Sequence, residues 1–361
     1  MKHPFLAVAV GTLLFTACSS EPSYTITGTV PADVPDGGTV YLRKERKAVV
    51  DSAIIKNHTF VFTGRQDSAV QRWFTYQEGN HSFSGILFVE NGDIKLSYNE
   101  GQCNVTGSPL NDRYYQFMTE FNQKNLVVRD LYKKCLDEKT SQEERLQLQE
   151  QMQKIGTECS ELVDKTITAN VKNAVGVMMI PKFGRQYPEA KQKEWILQVP
   201  ENMRTDRMKG MLDQFAKLEK TAVGQKFLDF SMKTPSGEEK KLSDYVKQNK
   251  YTLLDFWASW CGPCRAEMPN IVKAYHKYHK KGFGIVSVSL DEDAQRWTQA
   301  IKTLKMDWDH LSDLKGWQSV GSDLYGVGGI PATVLIANDG TIIARDLFGE
   351  SLEAKLDELL K

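Results

Sequence analysis

From Tyr24 to about Asn104, apolar and polar positions alternate in short runs, the two-residue period of strands with one covered face. The runs are Thr25 to Val30, Thr39 to Arg43, Val49 to Ile55, Thr59 to Thr63, Gln71 to Tyr76, Gly85 to Glu90 and Asp93 to Tyr98. Turn residues separate them, among them Lys56-Asn57-His58 and the pair Asn91-Gly92, which signals a hairpin. The pattern predicts an antiparallel β-sandwich over residues 18–107. The period then lengthens. Ser108-Pro109 opens a helix as N-cap and first-turn residue, with Leu110, Tyr114, Phe117, Met118 and Phe121 on one face. Ser141 and Glu144 form a capping-box signature ahead of a second helix, which aligns Leu148, Met152, Ile155, Cys159 and Leu162. Two antiparallel helices are expected, and further helical pattern runs from Glu189 to Lys220. Residues 108–220 therefore read as a helical region, and Thr221-Ala222-Val223-Gly224-Gln225 as the junction with a last domain over 222–361.

That last domain holds the chemistry. Tyr251 to Trp257 is an apolar, aromatic and β-branched run of strand character, followed by Trp260-Cys261-Gly262-Pro263-Cys264-Arg265. Two thiols three positions apart at a strand-to-helix junction can cycle between dithiol and disulfide. The unpaired N–H groups and aligned dipoles of a helix N-terminus favour an anion, so a thiolate at Cys261 is expected below the free value of about 8.5. Pro263 fits the first helical turn, and Gly262 lets a partner sulfur approach the backbone. Cys261 is the expected nucleophile and Cys264 the resolving thiol. Attack on a substrate disulfide gives a mixed disulfide, which Cys264 breaks to leave a Cys261–Cys264 bridge. The cycle calls for no cofactor and no metal.

Residues 222 to 361 resemble the thioredoxin superfamily. Asp255 matches the buried carboxylate that helps move the resolving thiol's proton, and Pro269 the proline that kinks the active-site helix. Gly328 to Thr333, followed by Val334-Leu335-Ile336, matches the cis-proline loop and its strand. The resemblance implies that Pro331 faces the sulfurs and that Ile330, Pro331, Trp260, Gly262 and Pro263 contact substrate. Glu267 and a longer segment between Asp291 and Pro331, with an extra helix around Asp293 to Lys305, resemble the extracytoplasmic TlpA/ResA-like reductases. That implies an α/β thioredoxin-like domain, a central mixed sheet flanked by helices. It also implies a proton-transfer role divided between Asp255 and Glu267. The β-then-helix arrangement in front resembles the N-terminal region of many lipoproteins of that family, and nothing in it looks catalytic.

Other readings compete. His276 and His279 follow the cysteine pair at a spacing close to a zinc finger's, but on one helix Cys264 and His276 lie roughly 18 Å apart, far beyond zinc–ligand distances of about 2.3 Å. A purely structural disulfide explains neither Trp260 nor Pro331. A peroxidase of peroxiredoxin type shares the fold but wants a hydroxyl three before its cysteine, where this chain has Ala258, and a proline where it has Leu254. A cell-envelope binding or assembly protein with an incidental dithiol is the remaining reading. Among the aromatics, Trp257 is expected in the core and Trp260 on a docking surface.

The start of the chain suggests a compartment. Lys2 precedes an apolar run from Phe5 to Phe15, and Leu14 to Cys18 resembles a bacterial lipobox, although Phe15 fits it poorly. Residues 1–17 then form a signal peptide, and lipidated Cys18 anchors the protein to a membrane facing the periplasm. The expected partners are cysteine-containing proteins and a thiol-disulfide electron donor or acceptor in the membrane. With 46 basic and 46 acidic residues and no basic stripe, nucleic acid is excluded as a partner. Cys135 and Cys159 sit on apolar helical faces about 18 Å apart if the helices reverse near Thr140, beyond the disulfide limit of about 7 Å, so both are expected reduced and buried. Cys103 follows the last predicted strand without an evident partner.

Overall fold

The computed structural model describes residues 23–44, 48–99 and 101–361. Residues 1–17 and Cys18 lie outside them, and among the described residues no helix is long and apolar enough to cross a membrane. The chain divides into two compact units, one up to Arg204 and one from Thr205 to Lys361.

The first unit begins with eight strands: β1 (Tyr24–Thr29), β2 (Thr39–Lys44), β3 (Ala48–Ile54), β4 (Thr59–Gly64), β5 (Val70–Glu78), β6 (His81–Val89), β7 (Gly92–Asn99) and β8 (Gln102–Thr106). They form two four-stranded sheets, ordered β4-β1-β7-β8 and β3-β2-β5-β6. Alternate residues point inward, so Ile26, Val40, Leu42, Phe60, Phe62, Phe74, Ile94 and Leu96 share one core. Three details differ from the sequence reading. The β1–β7 pair is parallel within an otherwise antiparallel set. Asn91-Gly92 is not a hairpin turn, because β6 and β7 belong to different sheets; the Asn91 side chain instead bonds the Gln66 backbone at both N–H and C=O. A tight hairpin lies instead between β5 and β6, where Glu78 faces His81 and Gly79 takes φ 56°.

Cys103 does not follow the last strand: it lies in β8, and its Sγ meets Tyr115 Oη at 3.3 Å. Burial pushes its thiol up to about 11. In the native protein at pH 8, iodoacetamide is therefore expected to label Cys103 at least about 100-fold more slowly than an exposed thiol, with full labelling in urea. Rapid native labelling, read by peptide mass spectrometry, contradicts this burial.

Helices α1 (Pro109–Leu136), α2 (Gln142–Asn170), α3 (Ala174–Phe183) and α4 (Glu189–Gln198) complete the unit. Ser108 occupies the N-cap of α1, yet its Oγ accepts from the Asn111 side chain rather than from a backbone N–H. Ser141 Oγ does cap α2, accepting from Glu144 N at 3.2 Å. The two long helices are joined by a Lys124–Glu158 pair at 2.6 Å. Cys135 is buried and Cys159, contrary to expectation, only half-buried; neither is bridged. The sequence reading missed α3, which buries Val175, Met179 and Ile180 completely. Its Gly176 sits where an added Cβ would fall 2.2 Å from the Asn170 carbonyl oxygen, so the close approach of the chain needs glycine.

In the second unit the elements run α5 (Asp206–Lys220), β9 (Ser231–Lys233), β10 (Glu239–Lys241), α6 (Leu242–Val246), β11 (Tyr251–Trp257), α7 (Gly262–Tyr278), β12 (Phe283–Ser289), α8 (Ala294–Thr303), β13 (Asp309–Leu311), α9 (Val320–Leu324), β14 (Ala332–Ala337), β15 (Ile342–Arg345) and α10 (Gly349–Leu359). Helix α5, read from sequence as the end of the helical region, belongs with this unit. Lys217 pairs with Asp323, and the Gln214 amide donates to the Gly326 carbonyl. The main sheet is ordered β13-β12-β11-β14-β15, with β11 parallel to β12 and antiparallel to β14. Strands β11 and β12 are covered on both faces, which explains their nearly unbroken apolar runs. This is the mixed sheet flanked by helices that the thioredoxin resemblance implies, and α8 is the expected extra helix.

Candidate active site

Strand β11 carries the chain to the site and anchors it. Trp257 is fully buried at the strand's end. The turn after it is held by Asp291, whose carboxylate accepts from Ser259 N at 2.9 Å, Ser259 Oγ at 2.5 Å and Ser289 Oγ at 2.6 Å. Three donors on one buried carboxylate fix where Trp260 and Cys261 emerge.

Cys261 is the N-cap of α7. Its Sγ accepts from Cys264 N at 3.2 Å and is joined to the Cys264 sulfur in a disulfide, with Cα atoms 5.3 Å apart. The capping group of this helix is therefore sulfur, placed where backbone N–H groups and dipoles converge. Cys261 is 5% exposed and Cys264 1%, so in the bridged form both sulfurs are largely covered and Cys264 more so. Gly262 and Pro263 are exposed on the first turn. A Cβ added at Gly262 would meet nothing within 4 Å, so the chain's own packing does not demand glycine there and the space above the turn is open.

The opposite wall is the loop before β14. Ile330-Pro331 is a cis peptide, and the Ile330 carbonyl oxygen lies 3.7 Å from Cys261 Sγ. Ile330 and Pro331 are half-buried, and Trp260 stands 53% exposed beside the dithiol, 6.3 Å between ring centroids from the equally exposed Trp317. Cys261, flanked by Trp260, Gly262 and Pro263, is thus brought against the Ile330-Pro331 loop, with Cys264 buried behind it.

Asp255 lies in β11, the strand that leads to the site, and is 1% exposed. Ser287 Oγ donates to its Oδ2 at 2.8 Å, while Oδ1 has no hydrogen-bond partner. Burial pushes the Asp255 carboxyl up to about 7; the Ser287 bond opposes that rise and the Glu267 charge adds to it. Glu267 itself is occupied elsewhere: Oε1 accepts from Gly349 N at 2.6 Å at the start of α10, and Oε2 from the Asn270 amide. It is a half-buried carboxylate that fastens α10 to α7 and lies within electrostatic range of Asp255. Among the described residues no group of three or more His, Cys, Asp or Glu is arranged to hold a metal ion.

Sequence reasoning missed Asp291, Ser287, Trp308 and Trp317. The signal for the first two was present, as Ser287 and Ser289 interrupt an otherwise apolar strand and Asp291 follows its end. Trp308 and Trp317 sit in the longer segment before Pro331 and carry no local mark.

Residues 223–345 match the AhpC/TSA family, and residues 24–114 match a domain of unknown function, DUF4369. The thiol-disulfide oxidoreductase ResA of Bacillus cereus is 32% identical over 147 residues, covering 41% of this chain and 82% of the relative. The thioredoxin-like protein YneN of Bacillus subtilis is 37% identical over 122 residues, 33% of this chain and 68% of its own. Among solved structures, a thiol-disulfide oxidoreductase from Bacteroides fragilis is 36% identical and covers 38% of this chain and 100% of its own, with a TM-score of 0.36. Through its C-terminal unit the chain belongs to the thiol-disulfide oxidoreductases of the ResA family.

Proposed function

We propose that this protein reduces disulfides in cysteine-containing proteins outside the cytoplasm while held to a membrane by lipid on Cys18, drawing electrons from a membrane thiol-disulfide donor. The observation that carries the reading is the Cys261–Cys264 bridge at the N-cap of α7, against the Ile330 carbonyl. Reduced, Cys261 attacks the substrate disulfide and expels one substrate thiolate. Cys264 then passes its proton to Asp255, with Glu267 adding negative charge nearby, and attacks the Cys261 sulfur. The substrate leaves with two electrons, and the bridge seen here is restored. Trp260, Gly262, Pro263, Ile330 and Pro331 form the docking surface, with backbone groups beside Pro331 pairing with substrate peptide. Support for the reducing direction is the Gly262-Pro263 pair between the sulfurs, the arrangement of thioredoxin, whose potential is about −270 mV. The resemblance to extracytoplasmic reductases supports the compartment, and apocytochrome cysteines before haem attachment, or misformed envelope disulfides, as substrates.

The AhpC/TSA match favours a second reading, in which peroxide is the oxidant. Against it, Ala258 puts no hydroxyl three residues before Cys261, and the second sulfur stands one turn away, ready to resolve a mixed disulfide. Trapping separates the two. A Cys264→Ala variant of the full chain is expected to accumulate proteins disulfide-linked to Cys261, released by dithiothreitol and identified by mass spectrometry. A variant that captures none, yet turns over hydrogen peroxide, replaces this reading with the peroxidase.

A further inference from the structure

On the reading that Asp255 takes the resolving thiol's proton, we propose that Ser287 and Trp308 form a two-bond relay that fixes Asp255 Oδ2 as an acceptor. Oδ1 is then the atom that takes up and releases the proton. Trp308 Nε1 is a donor without acceptor capacity and lies 2.9 Å from Ser287 Oγ. Ser287 Oγ therefore accepts from Trp308, which directs its own single proton to Asp255 Oδ2. Ser287 is fully buried and faces Asp255 in the parallel β11–β12 register, so its hydroxyl has no solvent to turn toward. A proton arriving on Oδ2 would meet the Ser287 hydrogen and break that bond. On Oδ1, which has no partner to lose, it costs nothing of the kind.

Asp307 and Asp309 flank Trp308 in the chain, and their charges reach Tyr275. Glu267 on α7 is the charged group that Asp255 feels, and its register neighbour on β14 is neutral Thr333. His310 of β13 stacks on Trp308 at 5.9 Å, and burial brings its ring down to about 4, leaving it neutral near pH 7. Tyr275 of α7 packs on Trp308 at 5.3 Å, and burial keeps its phenol protonated. Ser287 and Trp308 touch no reacting atom and act through Asp255, as positioning residues.

Oxidation of the reduced full chain by oxidised glutathione tests this. Cys261 thiolate attacks one glutathione sulfur and expels a thiolate. Cys264 then gives its proton to Asp255 Oδ1 and attacks the Cys261 sulfur, expelling the second glutathione. Two electrons pass from the dithiol to glutathione disulfide, and the proton leaves to solvent. The second step, followed by stopped-flow tryptophan fluorescence, should rise with pH along a limb set by Asp255. Ser287→Ala removes a bond that favours the carboxylate, moving the limb up by about one pH unit and slowing the step about 5-fold at pH 7. Trp308→Phe removes the donor that polarises the Ser287 hydroxyl, so the bond to Asp255 weakens and the limb moves the same way by a smaller amount. Ser287→Thr keeps the hydroxyl and leaves the limb in place. Ser287→Ala adds nothing in an Asp255→Asn background. If Asp255→Asn removes the limb but neither Ser287→Ala nor Trp308→Phe moves it, the relay is wrong and the role of Asp255 stands. If the limb survives Asp255→Asn, the role of Asp255 fails and the relay with it. Should Ser287→Ala fail to fold, Trp308→Phe alone decides.

Discussion

Cys261→Ser lowers insulin reduction with dithiothreitol to the uncatalysed background, a loss of at least about 1,000-fold, because a serine hydroxyl is not ionised near neutral pH and makes no disulfide. The size follows from the site's asymmetry. The Cys264 sulfur lies one turn inside α7 on a residue only 1% exposed, so it cannot reach a protein disulfide in place of Cys261. Trp260, Gly262 and Pro263 surround the entry to Cys261, so substrate docking survives the substitution while exchange does not. Turnover by Cys261→Ser equal to that of the unmodified protein places the chemistry elsewhere.

Asp255 couples stability to pH with a sign opposite to that of most carboxylates. Its folded value, about 7, is raised above an unfolded value of 3.8, so the folded state holds a proton that the unfolded state releases. The contribution is fully present below the unfolded value and is lost as pH climbs toward 7, by about 4 kcal/mol. His310 works in the other direction: its folded value of about 4 lies below the unfolded 6.5. The unfolded chain binds the extra proton there, so stability rises between those values, by about 3 kcal/mol. The two nearly cancel between pH 4 and 6.5. Hydrogen exchange of the β11 amides, corrected for intrinsic rates, reads the Asp255 contribution as the difference between the unmodified protein and Asp255→Asn, in which the other titrating groups, such as the burial-raised Asp309 carboxyl, cancel. From pH 4 to 6.5 the stability of Asp255→Asn should rise by about 3 kcal/mol relative to that of the unmodified protein. A stability difference between the two proteins that does not change with pH removes the buried carboxyl from the account.

Features written in contiguous residues were legible in the sequence. The dithiol, the proline that opens α7, the strand before it and the Ile330-Pro331 loop each rest on a few adjacent side chains. What escaped depends on distance along the chain. Strand β8 has Val105 fully buried and Cys103 partly so, and is specified by its ladder with β7, not by its own pattern. Helix α3 is apolar on most faces and contains Gly176 and Pro181, so it lacked the polar stripe that marks an amphipathic helix. Asn91-Gly92 carried a sound local turn signal, overridden because the strands it joins pair with different neighbours. The family resemblance gives Glu267 a proton-transfer role. Its bond to Gly349 N depends on α10, which comes late in the chain and whose docking nothing local announces. Ser287 stands out in the sequence as a polar residue in an apolar run, but its partners Asp255 and Trp308 meet it only through the packing of β12.

The redox cycle depends on Cys261 being the sulfur that attacks. Reduce the full chain with dithiothreitol, remove the reductant, treat with less than one equivalent of iodoacetamide at pH 7 and map the label by peptide mass spectrometry. Nearly all of the label is predicted on Cys261, with Cys264 and Cys103 unmodified; label falling first on Cys264, or on Cys261 no faster than on Cys103, contradicts it.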